Sequence, residues 1–276
     1  MTLSIILALA CGEKDAPVDT DTGVEADADA DSDADSDTDA DADTDVEPQG
    51  FDITGTSFEI GSQGPGTEGL CIDAVDPSAA FTGGELKILA SSSLEADGTF
   101  TIEAVETNSV LGLFLLVTDC ADVAPTMPTA SGVPFAAYDG LGTGDLIAGR
   151  NAVVVAQATA DGVAQSLVAA GYEGDISEQG FVLGFVRDAE GTPVQGATVS
   201  CGEGCAVYYA DVDPSDGMFT SAGELNTGTS AQTGGVFVVP NGPLTSYSAD
   251  HETIDFPAVT FGGMPGLVTV MAFAGQ

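Results

Sequence analysis

The sequence has little positive charge and few of the residue types that build catalytic and metal sites. Its 276 residues include four Lys and Arg together, one His and no Trp, against 44 Asp and Glu, for a formal net charge of −40. Such a chain repels phosphate backbones and anionic lipid head groups, which argues against nucleic acid and polybasic membrane contact. No metalloprotease, nucleophile-elbow or phosphate-loop motif occurs. The sequence predicts a protein that is not an enzyme.

Any Ser/His/Asp triad would have to use the single histidine, His251. It stands between Asp250 and Glu252 among loop residues, so we expect it in a solvated turn. A hydrolase that uses paired carboxylates is an alternative, but the 28 acids after residue 50 make some close pair inevitable. Without Trp, an aromatic platform for stacking sugars has little support.

The first residues have the pattern of a secretory segment: an apolar run, then small residues, then Cys11. About 18 apolar residues would be needed to span a bilayer, so this is not a transmembrane helix. The stretch Leu7-Ala8-Leu9-Ala10-Cys11 resembles the lipobox of bacterial lipoproteins. That resemblance implies cleavage before Cys11, acylation of its sulfur and amine, and anchoring to the outer membrane, periplasmic or surface-exposed. Because the segment is short and has no base before the apolar run, an upstream start codon is one hypothesis.

An acidic stretch follows the cysteine. Residues 11–50 hold 16 of the 44 acids, and Asp occupies every odd position from Asp27 to Asp45. The residues between are Ala, Ser and Thr, which offer almost no apolar area to bury, and like charges extend the chain. We therefore predict a disordered tether. Fully stretched, residues 12–49 would reach about 125–135 Å.

Calcium is the one cofactor that the sequence leaves open, and no other is expected. The tether lacks the turn glycine and the closing Glu of a calcium loop. A better-shaped cluster is Asp211, Asp213 and Asp216, followed by Gly217. Three carboxylates beside a turn glycine can converge on a hard cation, although Pro214 constrains the loop. An acidic surface turn is the alternative.

After residue 50, short apolar runs alternate with Asp-Gly, Gly-Gly and Asn-Gly turn signals. This spacing predicts a mainly β protein made of antiparallel sandwich strands. The strand candidates are Gly69–Ala74, Gly84–Ala90, Thr99–Ala104, Val110–Thr118, Val182–Arg187, Ala197–Cys201, Ala206–Asp211, Val236–Val239, Ala258–Phe261 and Leu267–Ala274.

One segment has a helical period instead. Val163, Leu167 and Ala170 fall on one helical face, with Asp161 as a candidate cap and Gly171 as a stop. We predict a helix over Ala160–Ala170 that joins two tandem sandwich units. The predicted organisation is a signal segment, the tether, a first sandwich, helix and linker, and a second sandwich, at residues 1–10, 11–50, 51–159, 160–179 and 180–276. A single larger sandwich is the alternative.

The second unit opens with a strand that ends at Asp188, a tight turn at Gly191-Thr-Pro193 and an apolar Val194. The pattern Gly-x-Val-x-Asp from Gly184, then Gly-x-Pro-Val-x-Gly-Ala-x-Val from Gly191, resembles the carboxypeptidase regulatory-like domain. That resemblance covers about residues 179–274 and implies a transthyretin-like, immunoglobulin-like β-sandwich. It implies no peptidase activity, because the histidine motif of a peptidase is missing.

Four cysteines remain once Cys11 is assigned to the anchor. An even number in an exported protein favours disulfides. Among three pairings, we favour Cys71 with Cys120 and Cys201 with Cys205, since each pair stays within one unit. A zinc site would need a fourth ligand beyond Cys201, Cys205 and His251.

Together these features predict a non-catalytic lipoprotein of the cell envelope. It would display sandwich modules for scaffolding or for binding a protein or glycan partner, and would touch the membrane only through its lipid. The alternatives are a calcium- or carbohydrate-binding surface module and an unrecognised hydrolase.

Overall fold

Strands form most of the regular structure in the computed structural model, which describes residues 50–60, 64, 66–122, 125–210, 225–226 and 235–276. The predicted mainly β fold is confirmed. The strands within these ranges are, in chain order, β1 (Phe51–Glu59), β2 (Cys71–Asp76), β3 (Lys87–Ser93), β4 (Thr99–Val105), β5 (Leu113–Thr118), β6 (Thr126–Met127), β7 (Thr129–Val133), β8 (Leu146–Ala156), β9 (Phe181–Arg187), β10 (Thr198–Ser200), β11 (Tyr208–Ala210), β12 (Leu225–Asn226), β13 (Val236–Pro240), β14 (Thr245–Asp250), β15 (Val259–Phe261) and β16 (Val268–Ala274).

These strands form three sheets. The largest has nine strands in the order β12-β11-β13-β9-β16-β7-β5-β2-β3. A four-stranded sheet has the order β4-β1-β8-β6, and a three-stranded sheet has the order β10-β14-β15. Most pairs are antiparallel, but β1 with β8, β16 with β7 and β16 with β9 are parallel.

The four-stranded sheet packs on one end of the nine-stranded sheet. Ile53, Ile102 and Val154 from the smaller sheet meet Ile72 and Leu115 from the larger one in a single buried core. This face-to-face arrangement is a β-sandwich. It lies within the first unit that the sequence indicated.

The three-stranded sheet covers the opposite face. Val199, Tyr247 and Phe261 from this sheet pack with Phe237 and Met271 of the nine-stranded sheet. Val194, the residue after the tight turn, is buried in the same core. The predicted tight turn is therefore followed by a residue that enters the core.

One sheet runs through both halves of the chain. Strand β16 from the second half lies parallel to β7 from the first, with Val268 opposite Thr129. All but the last residue of β16 are buried, and its sequence is an almost continuous apolar run. Such runs are typical of strands that are covered on both faces, as central parallel strands are. The two sandwich layers thus share one central sheet.

The joining helix is present but begins earlier than predicted. Helix α1 spans Gln157–Ala169, so Asp161 lies inside it and accepts a hydrogen bond from the Gln157 side chain at 2.9 Å. Gly171 has a φ of +94° and donates to the Val168 carbonyl, which ends the helix as expected. Val163 and Leu167 are buried against the nine-stranded sheet.

The segment after α1, predicted as a linker, contains a second, short helix. Helix α2 spans Ile176–Gln179, and the Asp175 carboxylate accepts from the backbone N–H of Ser177 at 2.8 Å. Within the described ranges, no helix is both long and apolar enough to cross a membrane.

Candidate functional site

Both predicted disulfides are confirmed. Cys71 at the start of β2 bonds to Cys120, just after β5, with the two Cα atoms 5.7 Å apart. These strands are neighbours in the nine-stranded sheet, with Cys71 opposite Thr118, so the bridge ties one strand end to the next. The second disulfide joins Cys201 to Cys205, four positions later in the chain, with the two Cα atoms 5.8 Å apart.

The other predicted sites lie outside the described residues. They are the signal segment with Cys11, the acidic tether at residues 11–49, and the acidic cluster of Asp211, Asp213 and Asp216. In the ranges that the structure does describe, no group of three or more His, Cys, Asp and Glu side chains is arranged to hold a metal ion.

His251 lies partly exposed in an irregular segment after β14. Its Nδ1 accepts a hydrogen bond from the backbone N–H of Thr253 at 3.3 Å, and the Thr253 hydroxyl lies 3.4 Å from the same nitrogen. The imidazole therefore stabilises a local bend of the chain through these contacts. No Ser/His/Asp arrangement appears among its contacts in the described ranges.

One concave feature of the described structure is an open groove between β3 and β4, which we call the edge cleft. It encloses about 720 Å³ and is lined by residues of these two strands and the residue after β4: Leu89, Ala90, Ser91, Ser92, Thr101, Glu103, Ala104 and Glu106. Strand β3 is the last strand of the nine-stranded sheet, and β4 is the last strand of the four-stranded sheet. The edge cleft therefore separates the edges of two facing sheets.

The two walls of the cleft start from one tight turn. Gly98 donates to the Glu95 carbonyl at 2.8 Å, and Glu95 donates to the Thr99 carbonyl at 2.9 Å. Beyond that turn, no backbone hydrogen bond joins β3 to β4 in the described chain. The strands separate there because each follows a different sheet.

The hydrogen-bond pattern tells which backbone groups of β4 face the cleft. Ser57 donates to the Gly98 carbonyl at 2.7 Å, so Gly98 faces β1. Neighbouring residues of an antiparallel strand alternate in direction. Because the register is continuous from Gly98 to Ile102, the backbone N–H and C=O groups of Phe100 and Ile102 point toward β1. The backbone groups of Thr101 point away from β1, into the cleft.

Strand β3 also turns alternate backbone groups toward the cleft. Leu94 donates to the Leu70 carbonyl at 2.9 Å, so Leu94 faces β2. By the same alternation, the backbone N–H and C=O groups of Ser92 and Ala90 point toward β2, whereas those of Ser91 and Ser93 point toward the cleft. Both walls thus present backbone donors and acceptors that no ladder partner takes up in the described structure.

A bulge deforms the β4 wall. Phe51 is opposite Val105 and Ile53 is opposite Ile102, so two residues of β4 stand against Asp52 alone. One of the two, Ala104, has a φ of +53°, which is a left-handed conformation that L-residues rarely adopt. The Asp52 carboxylate accepts a hydrogen bond from the Ala104 N–H at 3.0 Å.

The charge of the edge cleft is negative. Glu103 and Glu106 line it and are both exposed, and neither Lys nor Arg is among its lining residues. The one cation of the two strands, Lys87, stands at the far end of β3, opposite Asp76 in the register. The cleft can therefore attract cations but offers no positive group to an anion.

A second concave feature is a small, partly open cavity of about 20 Å³, lined mainly by apolar side chains that include Phe81, Phe114 and Phe261. A cavity of this size holds about one water molecule, so it is a packing gap beside the core rather than a ligand site.

Comparison with known proteins assigns no family. No family model matches the chain, and no curated protein matches it. Among solved structures, the shaft pilin SpaA from Lactobacillus rhamnosus GG aligns with 82% of this chain and 97% of its own, at 10% identity and a TM-score of 0.25. The Bacillus anthracis TIE protein aligns with 83% of this chain and 34% of its own, at 7% identity and a TM-score of 0.24. Scores this low carry no argument about fold or function.

Proposed function

We propose that this protein is a non-catalytic lipoprotein of the bacterial cell envelope, whose tether holds a β-sandwich body away from the membrane for binding or scaffolding. The observation that carries the proposal is the pair of disulfides in the described body. Structural disulfides persist in oxidising compartments and are rare in the cytosol. All four cysteines after residue 50 are consumed in this way, which leaves Cys11 as the single cysteine for an anchor.

The N-terminal sequence supports the same location. An apolar run leads to Leu7-Ala8-Leu9-Ala10-Cys11, and the acidic stretch follows at once. Since β1 begins at Phe51 in the middle of the four-stranded sheet, the tether would join the body at a strand that is paired on both sides. Such a junction can carry tension between a lipid and the body.

We also propose that the second half of the chain is a carboxypeptidase regulatory-like domain. The turn supports this assignment: Asp188 accepts hydrogen bonds from the backbone N–H groups of Glu190 and Thr192, at 3.0 and 2.7 Å. Val194, the apolar residue that follows the turn in this motif, is buried in the core. The motif glycine Gly196 has a φ of +78°, a backbone conformation that favours glycine, although a side chain there would meet only open space.

Lipid anchoring can be tested with the full chain produced in a diderm bacterium. We expect the wild-type protein to incorporate radiolabelled palmitate and to enter the detergent phase in Triton X-114 partitioning. Cys11→Ala should abolish the labelling, whereas Ser4→Ala in the same segment should retain it. Equal labelling of Cys11→Ala and wild-type protein would contradict the anchor.

Calcium binding at Asp211, Asp213 and Asp216 is a separate proposal, supported by their spacing before Gly217. The test is thermal unfolding of the full chain with calcium and with a chelator. Calcium should raise the melting temperature of the wild type, and Asp213→Asn should remove the increase. Glu190→Gln, in an exposed turn outside the acidic cluster, is the matched control. Equal melting temperatures of wild type in calcium and chelator would rule the site out.

A further inference from the structure

The edge cleft has the features of an acceptor for one extended strand. The ladder that begins at the Glu95–Gly98 turn would, if continued, pair Ser93 with Thr101 and Ser91 with Glu103. Instead the strands part, and these backbone groups face an open groove. An added strand satisfies such groups by main-chain hydrogen bonds, which is how many proteins bind extended peptides at sheet edges.

We propose that the edge cleft binds an extended segment of a partner protein that carries Lys or Arg side chains, with its backbone paired to Thr101 of β4. The proposal rests on the envelope location proposed above only for where the protein meets its partner. It adds the surface that binds, the conformation of the bound segment and the charge of the partner.

Charge selects this occupant over two others. Glu103 and Glu106 line the cleft, and residues 51–276 carry 28 acids against three bases. A second copy of this chain would bring an equally negative surface to the cleft. The chain's own residues 11–50 would bring 16 acids. Like charges oppose both contacts, whereas a basic segment is attracted and steered toward the body.

The strained bulge supports the placement on β4. A left-handed Ala costs about 1–3 kcal/mol and persists only where its surroundings hold it. Here the Asp52 carboxylate holds the Ala104 N–H, and Ala104 itself lines the cleft together with Glu103 and Glu106. The bulge separates these acidic residues from the regular part of β4, which contains Thr101. Strain kept at the wall of a groove indicates that the wall's shape is used.

The probe is a fluorescent ten-residue peptide of alternating Lys and Val, measured by anisotropy against the purified full chain at physiological salt. Two control peptides separate strand pairing from bulk attraction: one is N-methylated at alternate residues and keeps the charge, and the other has Glu in place of every Lys. We expect saturable one-to-one binding of the first peptide, and binding about tenfold weaker or worse for both controls.

Two kinds of variant locate the contact. Thr101→Pro removes a cleft-facing N–H that has no ladder partner, and Glu103→Gln with Glu106→Gln removes the charge and leaves the backbone intact. Each should weaken binding about tenfold. The matched control, Glu190→Gln with Glu252→Gln, removes two exposed acids elsewhere and should change the affinity less than about twofold.

Several outcomes would overturn the proposal. These are equal binding of the N-methylated peptide, an unchanged affinity of the Glu103/Glu106 variant, or self-association of the full chain through the cleft, seen as a dimer in sedimentation that Thr101→Pro dissolves. If Thr101→Pro fails to fold by circular dichroism, the Glu103/Glu106 variant decides alone. Palmitate labelling is independent of all these measurements, so a failed anchor and a failed cleft are distinguishable.

Discussion

The carboxylate of Asp52 on β1 accepts a hydrogen bond from the backbone N–H of Ala104 on β4, 3.0 Å away. This single contact holds the left-handed residue of the bulge, where the strand pair loses its regular register. Gly50 completes the arrangement, because a Cβ there would overlap the Ala104 carbonyl carbon. Gly50 and Asp52, about 50 residues before Ala104 in the chain, therefore shape one wall of the edge cleft.

Replacing Asp52 should destabilise the body through this contact. We expect Asp52→Ala to lower the free energy of unfolding by about 1–2 kcal/mol, because the Ala104 N–H loses its acceptor. Asp52→Asn keeps an acceptor oxygen and should cost about half as much or less. Urea denaturation measures both variants, and an Asp52→Ala variant as stable as wild type would contradict the assigned role.

Gly184 and Phe237 should show strong energetic coupling. Gly184 on β9 is paired with Phe237 on β13, and a Cβ at Gly184 would lie within the Phe237 ring. We expect Gly184→Ala to cost about 1–3 kcal/mol through overpacking. Phe237→Leu makes room, so the double variant should be more stable than the sum of the two single effects by about 1 kcal/mol. Strictly additive effects in denaturant unfolding would refute the contact.

The two disulfides should differ in how much they stabilise the fold. They span 49 and four residues respectively. Loop-closure entropy alone then gives about 4 kcal/mol for Cys71–Cys120 and about 2 kcal/mol for Cys201–Cys205. Double Cys→Ser variants compared by chemical denaturation test this order. A larger loss for the Cys201/Cys205 variant would contradict it.

Stability should fall in strongly alkaline solution because of two buried tyrosines. Burial raises the pKa of Tyr138 and of Tyr247 to about 12 in the folded state, above the ordinary value of about 10. The folded state therefore holds these protons more tightly, so their contribution is complete below pH 10 and is lost as the pH rises from about 10 to 12.

Phenylalanine variants test this alkaline dependence. The Tyr138 hydroxyl donates to the Ser109 carbonyl at 2.8 Å, and the Tyr247 hydroxyl donates to the Pro243 carbonyl at 3.1 Å. Tyr138→Phe with Tyr247→Phe should lower stability at pH 7, where those bonds are lost, and flatten its decline between about pH 10 and 12. A decline as steep as that of wild type would mean that other groups cause it.

The sequence pattern located several strands that are continuous apolar runs, but it missed β8, in which Ala152, Val153, Val154 and Val155 are buried. Strands such as β9, β13 and β16 are buried on both faces, so their sequences are almost entirely apolar. Strands β1 and β14 were missed for the opposite reason. β1 contains Gly55 and several Thr and Ser, and β14 has Tyr247 as its single large apolar side chain. Packing of one face against the core is enough to hold these strands, but it leaves only a weak alternation of apolar and polar residues in their sequences.

The sharing of one sheet by both halves could not be predicted. It depends on the parallel pairing of Val268 with Thr129, which are far apart in the chain, and no local signal encodes such a pairing. The cleft was missed as well, because its functional groups are backbone N–H and C=O groups that every strand possesses. The negative charge was visible in the sequence, but which acids line a groove depends on where two sheets part.

Export and lipid attachment decide where the body and its cleft operate. Intact-mass and N-terminal peptide spectrometry of the full chain, produced in a diderm bacterium, measures both directly. We predict a mature protein that begins at Cys11, with acyl chains on its sulfur and amine, and with the other four cysteines paired. A chain that keeps residues 1–10 and carries a free Cys11 thiol would contradict export and lipid attachment.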